Sequence, residues 1–404
     1  MNKTQVWKWI WLQFLVQPLL LSSTAYAQVD SLGVKQEMDL TDYYRKYISR
    51  KKAIDSNLDT SENKAAWTVL PMPSFTPQTG FAASVSANRL WATSKDANQY
   101  QSTFNISGTG TALQQYLLET DHTIWRPGNK TVFMGDYRYI VYPQPTFGLG
   151  GSSKLSNENL IDYNMLRISE FVYRKVAANW LVGGGYVLNH FFNIKEQGNP
   201  DGSDSDFKQW GSRSSTTSSG LGIGILSDTR SNENNPVAGS HFLNIQFLQN
   251  LRLLGSNTEW HSLTVDTRKY LPVGKKNILA FWGMGWFTFN SPAPYLELPS
   301  TGWDATGNKG RGYMQARFRG QNLLYLESEY RFSLTQNGFL GAVVFANAQS
   351  VTDWPSNRFT RIHPGGGSGL RIKLNKKSAT NLAVDYAIGA GGSRGLFINL
   401  TEVF

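Results

Sequence analysis

The chain has 404 residues, with 39 Lys and Arg against 29 Asp and Glu, 13% aromatic residues, 38 Gly and no Cys. Its mean hydropathy of -0.35 excludes a helical membrane protein. It does not exclude a membrane β-barrel, whose strands alternate apolar and polar residues. The lack of Cys excludes a disulfide framework and a lipid-anchored cysteine.

Residues 1–27 are predicted to be a signal peptide. Two lysines accompany an apolar run over residues 10–21, and an A-x-A cleavage site ends at Ala27. We therefore expect export from a bacterial cytoplasm and a mature chain starting near Gln28. Loss of the two lysines lowers the net charge from +10 to +8, which favours a modest attraction to anionic outer-membrane lipid headgroups.

Residues 28–66 form a short polar segment with one helical pattern. Thr41 is the predicted cap of a helix whose Tyr44, Tyr47 and Ile48 share a face. Two interpretations stay open for this segment. It is either a solvated or loosely docked helix, or a plug or partner-docking element at the periplasmic mouth of a barrel.

From Trp67 to Phe404 the chain alternates apolar and polar residues in segments of about ten residues, the length of a transmembrane strand. We predict an all-β fold, a closed antiparallel transmembrane barrel over residues 67–404 with sixteen strands. The candidates are 67–75, 79–93, 99–112, 114–126, 131–142, 161–175, 179–193, 219–229, 240–250, 258–271, 276–290, 320–333, 338–350, 366–375, 379–390 and 394–404.

The connections fall into two classes. If the first strand rises from the periplasm, the tight turns lie on the inside and the long loops on the outside, as in outer-membrane barrels. The tight turns are 126–130, 176–178, 272–275, 335–338 and 376–378, and the long loops are 143–160, 194–218, 291–319 and 351–365.

The strand near residue 325 shows the two faces most clearly. Alternation predicts that its apolar face meets lipid and its charged face lines a polar lumen. The lipid face is Leu324, Leu326, Tyr330 and Phe332, and the lumen face is Tyr325, Glu327, Glu329 and Arg331.

The last strand carries a predicted insertion signal. Ile398, Leu400 and the final aromatic Phe404 alternate as in the terminal strand by which barrels are recognised for insertion. Glu402 interrupts that face, and we expect it at the periplasmic rim, where a carboxylate costs little. This strand must pair with the first one to close the sheet.

Four short motifs occur in order along the barrel and resemble one family. They are Asp228-Thr229-Arg230 followed by Pro236 and Gly239 in an inside turn, Arg311-Gly312-Tyr313 in a long outer loop, Glu329-Tyr330-Arg331-Phe332 after it, and the terminal Phe404. Together they resemble the C-terminal barrel of the BamA/TamA-like outer-membrane assembly and two-partner-secretion transporter superfamily, over residues 67–404.

The resemblance implies an outer loop folded into the barrel, with Arg311 reaching Glu329 on the lumen face that Glu327 shares. The family pattern Phe-x-Asp-x-Gly aligns with residues 345–349, so that Asn347 stands in place of the Asp. We expect Asn347 to accept a hydrogen bond from the guanidinium without supplying charge. A change of Asn347 to Asp is then expected to make the loop more rigid.

The resemblance also implies a function at the seam between the first and last strands, assisting outer-membrane biogenesis by protein insertion or translocation. The expected partners are outer-membrane lipids and unfolded or exported polypeptides, with the cell's own barrel-assembly machinery inserting the chain. Residues 28–66 are too few for a POTRA domain. A homodimer is compatible with these features. The alternative is a passive channel or structural barrel that kept the fold alone.

Motifs for chemistry are poor. The five histidines show no metal-ligand spacing, and no Gly-x-Ser-x-Gly elbow is present. We therefore expect no metal, no cofactor and no enzymatic activity, an outer-membrane hydrolase being the weakest hypothesis. The sequence also shows no nucleic-acid-binding module.

Overall fold

The structure is a computed structural model that describes residues 37–43, 67–96, 99–233, 235–290, 293–303, 309–376 and 379–404. The predicted signal peptide and the helical face with Tyr44, Tyr47 and Ile48 lie outside these residues. Among the residues described, no helix is long and apolar enough to cross a membrane.

The predicted closed, antiparallel barrel of sixteen strands is confirmed. A further two-residue strand, β14, extends the outer end of β13. The strands are β1 (Trp67–Thr76), β2 (Gly80–Ala92), β3 (Gln101–Thr111), β4 (Tyr116–Trp125), β5 (Thr131–Thr146), β6 (Asn159–Ala177), β7 (Trp180–Glu196), β8 (Ser215–Asp228), β9 (His241–Asn250), β10 (Trp260–Val273), β11 (Asn277–Phe289), β12 (Asn322–Ser333), β13 (Leu340–Asp353), β14 (Arg358–Phe359), β15 (His363–Asn375), β16 (Thr380–Gly389) and β17 (Arg394–Leu400).

Alternation along each strand separates a lumen face from an outward face, as predicted. In β12, Tyr325, Glu327 and Glu329 are buried, whereas Leu326 between them is 55% exposed. We call the end of the barrel where β1 begins the inner end, and the opposite end the outer end. The start of β1 and the end of β17 therefore lie at the inner end.

A long connection joins β11 to β12. Its described residues, 290, 293–303 and 309–321, lie inside the barrel and are called the lumen loop. Its Tyr313 and Phe318 belong to one apolar cluster with Trp282 of β11 and Tyr325 of β12. The loop therefore packs against the inner wall as a hydrophobic core would. Beside it remains a cavity of about 310 Å³, lined in part by Asp136, Arg138, Arg167, Asp266, Arg268 and Glu297.

The described part of the N-terminal segment forms one short helix, α1 (Leu40–Tyr43). Its cap is Asp39, whose Oδ1 accepts from the Asp42 N–H at 3.0 Å, so the prediction that Thr41 caps the helix is wrong. Asp39 lies just before the helix, where a side-chain oxygen can accept from a backbone N–H of the first turn. Thr41 lies inside the helix, which is not the cap position. The second helix is α2 (Asp206–Trp210), between β7 and β8.

The segment with α1 docks on turns at the inner end. Lys376 Nζ lies 2.7 Å from Asp42 Oδ2, and Lys373 Nζ lies 3.3 Å from Glu37 Oε2. The ring of Tyr43 stacks on Phe339 with centroids 4.8 Å apart. These residues attach the N-terminal segment to the rim beside β13, β15 and β16.

The last strand ends earlier than predicted. β17 stops at Leu400, Thr401 takes a φ of 72°, and the C-terminal tail, residues 401–404, turns into the lumen. The expectation that Glu402 lies at the rim is wrong, because Glu402 is buried and accepts from Arg371 Nε at 2.8 Å. The ring centroid of Phe404 lies 5.3 Å from that of Trp282.

Candidate functional site

Arg311 of the lumen loop lies at the centre of the charged site. Its Nη1 donates to Asp385 Oδ2 at 2.6 Å, and its Nη2 donates to Glu329 Oε2 at 2.6 Å and also to Glu327. The guanidinium carbon lies 3.5 Å from the ring centroid of Phe345. Carboxylates of β12 and β16 thus form ion pairs with Arg311 from two sides of the lumen.

The backbone around Arg311 requires glycine. Gly312 has a φ of +100°, and a Cβ there would lie 2.9 Å from the backbone carbonyl of Ile388, so a side chain would both strain the loop and clash. The hydroxyl of Tyr313 donates to the Pro364 carbonyl and accepts from Ala390 N at 2.7 Å. The Arg-Gly-Tyr motif therefore fits the loop against β15 and β16.

Two further arginines join Arg311 into what we call the arginine network. It comprises Arg311, Arg331, Arg371, Glu327, Glu329, Asp385 and Glu402. Three cations thus meet four carboxylates, nearly all out of contact with water. Such groups are tolerable only because each charge is paired and hydrogen-bonded.

Electrostatics keep Arg311 charged. Burial would lower the pKa of its guanidinium, but the carboxylates around it, Glu327, Glu329 and Asp385, outweigh burial and hold that pKa well above its usual value. A guanidinium in this position stays protonated at any physiological pH.

Of the predicted partners of Arg311, the structure places Glu327 and Glu329 against the guanidinium. Asn347 contacts a different group of Arg311 from the one expected. Its Nδ2 donates to the backbone carbonyl of Arg311 at 2.9 Å, so it binds the loop backbone as a donor and does not accept from the guanidinium. The amide is suited to this position because a carbonyl needs a donor, which an ionised Asp lacks.

Sequence reasoning missed Asp385 and Arg371. No local motif links Asp385 to a loop 74 residues earlier in the chain. Arg371 donates to Asp385 and Glu402 and comes within 3.7 Å of Glu329. The only available signal was alternation, because Asp385 and Arg371 each lie between two apolar residues, as lumen-facing side chains do.

The inside-turn motif forms a separate structural unit at the inner end. Arg230 donates to Asp228 through Nε at 3.0 Å and Nη2 at 2.7 Å, and its guanidinium lies over the Phe242 ring. Pro236 is buried, and Gly239, with a φ of +89°, donates its N–H to the carbonyl of β10 residue 270. This motif closes the β8–β9 turn and does not contact Arg311.

The seam, the junction of β1 and β17, is the weakest in the wall. β1 has ten register partners in β2 and β17 has seven in β16, but β1 and β17 share only Phe75 with Ile398. At the outer end, Gly395 approaches Pro77 so closely that a Cβ on the glycine would lie 2.4 Å from the proline ring. One register pair therefore joins β1 to β17, and Gly395 packs against Pro77.

In the described part of the chain, no group of three or more His, Asp or Glu side chains could hold a metal ion.

The predicted insertion signal divides in the structure: Ile398 and Leu400 lie on β17, while Phe404 lies in the lumen, where its carbonyl accepts from Arg331 Nη2 at 2.7 Å.

A family model described as the Omp85 superfamily domain matches residues 79–392. Among solved structures, the chain is similar to BamA from Haemophilus ducreyi lacking POTRA domains 1–3, with 14% identity, a TM-score of 0.56, and coverage of 84% of this chain and 70% of that one. It is similar to CdiB from Acinetobacter baumannii (13%, TM-score 0.53, 83% and 60%) and to CdiB from Escherichia coli (11%, TM-score 0.55, 83% and 64%). None of the curated proteins matches significantly.

Proposed function

Because the chain belongs to the Omp85 superfamily, we propose that it is an outer-membrane barrel of a Gram-negative bacterium that assists insertion or translocation of polypeptides at its seam. Its partners are the surrounding outer-membrane lipids and unfolded or exported polypeptides. The solved structures of similar fold include a BamA and two CdiB proteins.

The observation that supports this proposal is the single register pair between Phe75 and Ile398. Unpaired backbone groups at membrane depth are costly, and an ordinary closed barrel pairs every strand along its length. A wall that leaves most of one strand edge unpaired supports a role in which another strand comes to that edge.

The test is insertion of an unfolded outer-membrane barrel into liposomes containing the purified protein. The chain has no Cys, so a Ser74→Cys/Asn399→Cys variant can tether the seam, since the Phe75–Ile398 register places these two positions opposite each other. We expect the reduced variant to accelerate insertion or transport and the oxidised variant to lose that activity.

A matched control is Ile106→Cys/Thr120→Cys, which links register partners of β3 and β4 away from the seam. Oxidation of this control should leave the activity unchanged. If the protein neither accelerates insertion nor transports a polypeptide under any condition, the proposed function is wrong.

The charged cavity of about 310 Å³ beside the lumen loop favours one alternative, a passive channel. Conductance without insertion or transport, unaffected by the seam disulfide, would establish that alternative.

A further inference from the structure

The prolines of β1 direct their nitrogens into the seam. Ala112 N donates to the carbonyl of Phe81 at 2.8 Å, so Phe81 directs its backbone groups towards β3. The next residue of β2, Ala82, therefore directs its backbone groups towards its register partner in β1, Ser74. Backbone groups alternate in direction along an antiparallel strand. Pro71 and Pro73 therefore face β17, and proline has no N–H to offer there.

The other four prolines in the described strands follow one rule. Pro143 and Pro145 face β4 beyond its first residue, Pro272 faces β9 beyond its first residue, and Pro364 faces β16 beyond its last residue. Each of these nitrogens points to a place where no neighbouring strand exists. By the same rule, Pro71 faces β17 beyond its last residue, and Pro73 faces that last residue, Leu400. This stretch of β1 is therefore an edge built to stay unpaired.

The C-terminal tail is the only segment of the described chain that could continue β17 along this edge. Extending the antiparallel register of Phe75 and Ile398 would place Glu402 opposite Pro71 and Phe404 opposite Val69. The tail would then find no N–H at Pro71, and Leu400, the last residue of β17, already finds none at Pro73.

Glu402 also disfavours the extended position. On a continued strand it would share the outward face of Leu396 and Ile398, and a carboxylate facing lipid is unfavourable. Turned inward at Thr401, its Oε1 accepts from Asn381 Nδ2 at 2.7 Å and its Oε2 from Arg371. Both edges of the seam therefore oppose pairing, β1 through its prolines and the tail through its acid.

We propose that Pro71 and Pro73 keep the inner half of the seam open by making β1 unable to pair fully with the chain's own C-terminal tail. The tail is then held in the lumen by Arg331 and Arg371. The inner half of the seam is therefore an open edge in the resting protein, and no conformational change is needed to open it.

The partner that this edge fits follows from its remaining groups, an inference that depends on the proposed function. The carbonyls of Val69, Pro71 and Pro73 all face the gap, but Val69 alone of the three has an N–H. An extended polypeptide segment would thus be held mainly through its own N–H groups. Since each missing hydrogen bond weakens pairing by roughly fivefold, such a segment binds reversibly and is readily released.

Disulfide cross-linking in the otherwise cysteine-free chain tests whether the seam is open. The reporter is Val69→Cys/Phe404→Cys, two positions that meet only if the tail pairs with β1. The matched control is Val69→Cys/Ala87→Cys, whose residues are register partners. With the protein reconstituted in phosphatidylethanolamine/phosphatidylglycerol liposomes, we expect the control to link and the reporter to remain largely unlinked.

Adding Pro71→Val and Pro73→Val restores two donors, and we expect the linked fraction of the reporter to rise by up to about 25-fold, roughly fivefold for each donor. A reporter that links as fully as the control with both prolines present would overturn the proposal, because the seam would be closed. An unchanged linked fraction after both substitutions would also overturn it, because the prolines would not be the cause.

Hydrogen exchange on the unsubstituted chain gives a second measurement that requires no variant to fold. The amide of Val69 should exchange quickly, whereas the amide of Ser74, bonded to β2, should be protected. Equal protection of both would contradict an open edge. Neither measurement involves a substrate, so a negative insertion assay with an open seam would count against the proposed function alone.

Discussion

The arginine network and the seam involve neighbouring strands, and they are stabilised in opposite ways. In the network, the Arg311 guanidinium meets three carboxylates of β12 and β16. At the seam, β1 and β17 share one register pair. Several ion pairs therefore hold the lumen loop in place, whereas few backbone hydrogen bonds join the wall beside it.

This difference assigns separate roles to the two regions. A loop clasped by buried ion pairs is costly to move, because each charge would lose its partner in a place without water. A wall joint with one pair opens at little cost. We therefore expect conformational change to concentrate at the seam, while the lumen loop and the C-terminal tail, both held by arginines of the network, stay fixed.

The largest expected effect comes from removing the central cation. Arg311→Ala leaves three buried carboxylates without their shared partner, and breaking a buried pair costs about 3–5 kcal/mol. We expect a matching loss of unfolding free energy in urea titrations in detergent, together with faster proteolysis of residues 309–321.

Arg317→Ala is the matched control in the same loop. Arg317 donates to Ser153 Oγ at 2.9 Å and to its carbonyl at 2.8 Å. Its loss exposes no buried carboxylate and should cost less, about 1.5–3 kcal/mol. The seam reporter with Cys at 69 and 404 should link equally in both variants. Equal costs for the two arginines would remove the contrast between network and seam.

A second expected effect comes from a buried carboxyl that no described salt bridge reaches. Glu297 of the lumen loop accepts from Asn189 Nδ2 at 2.8 Å, and burial raises the pKa of its carboxyl from 4.5 to about 7. Below pH 4.5 the group is protonated in both folded and unfolded chains. As pH rises towards 7 the unfolded chain ionises first, so folding loses stability over that window, by about 3 kcal/mol at most.

Glu297→Gln should abolish this pH-dependent loss while keeping the side-chain shape. The measurement is the pH dependence of the urea midpoint between pH 4.5 and 7.5 for the two proteins. A parallel pH dependence in both would show that Glu297 is not the titrating group.

Much of the fold could be predicted because a barrel strand encodes its two faces in its own alternation. The bounds of β12 and the inward direction of Glu327 and Glu329 follow from that period alone. Asp385 and Arg371 could not be assigned to Arg311, because barrel closure brings together strands that are far apart in sequence. The inward tail was missed because Glu402 was read as tolerated at the rim, whereas its carboxylate finds Arg371 inside.

The smallest expected effect reverses the expectation from the family pattern. Asn347→Asp was expected to strengthen the hold on the loop, but the structure shows Asn347 donating to the Arg311 carbonyl. A carboxylate would face that carbonyl as a second acceptor, in a network that already has more carboxylates than cations. We expect a loss of about 1–3 kcal/mol, measured as the urea midpoint at pH 7.

Asn347→Ala separates the two contributions to that loss, since it removes the hydrogen bond without adding charge. The Asp variant should be less stable than the Ala variant at pH 7 and should approach it at pH 4, where a protonated carboxyl can again donate to the carbonyl. A more stable Asp variant would show that the network still has positive charge to spare. The stability of the arginine network would then depend on its number of carboxylates, and backbone geometry would determine the pairing at the seam alone.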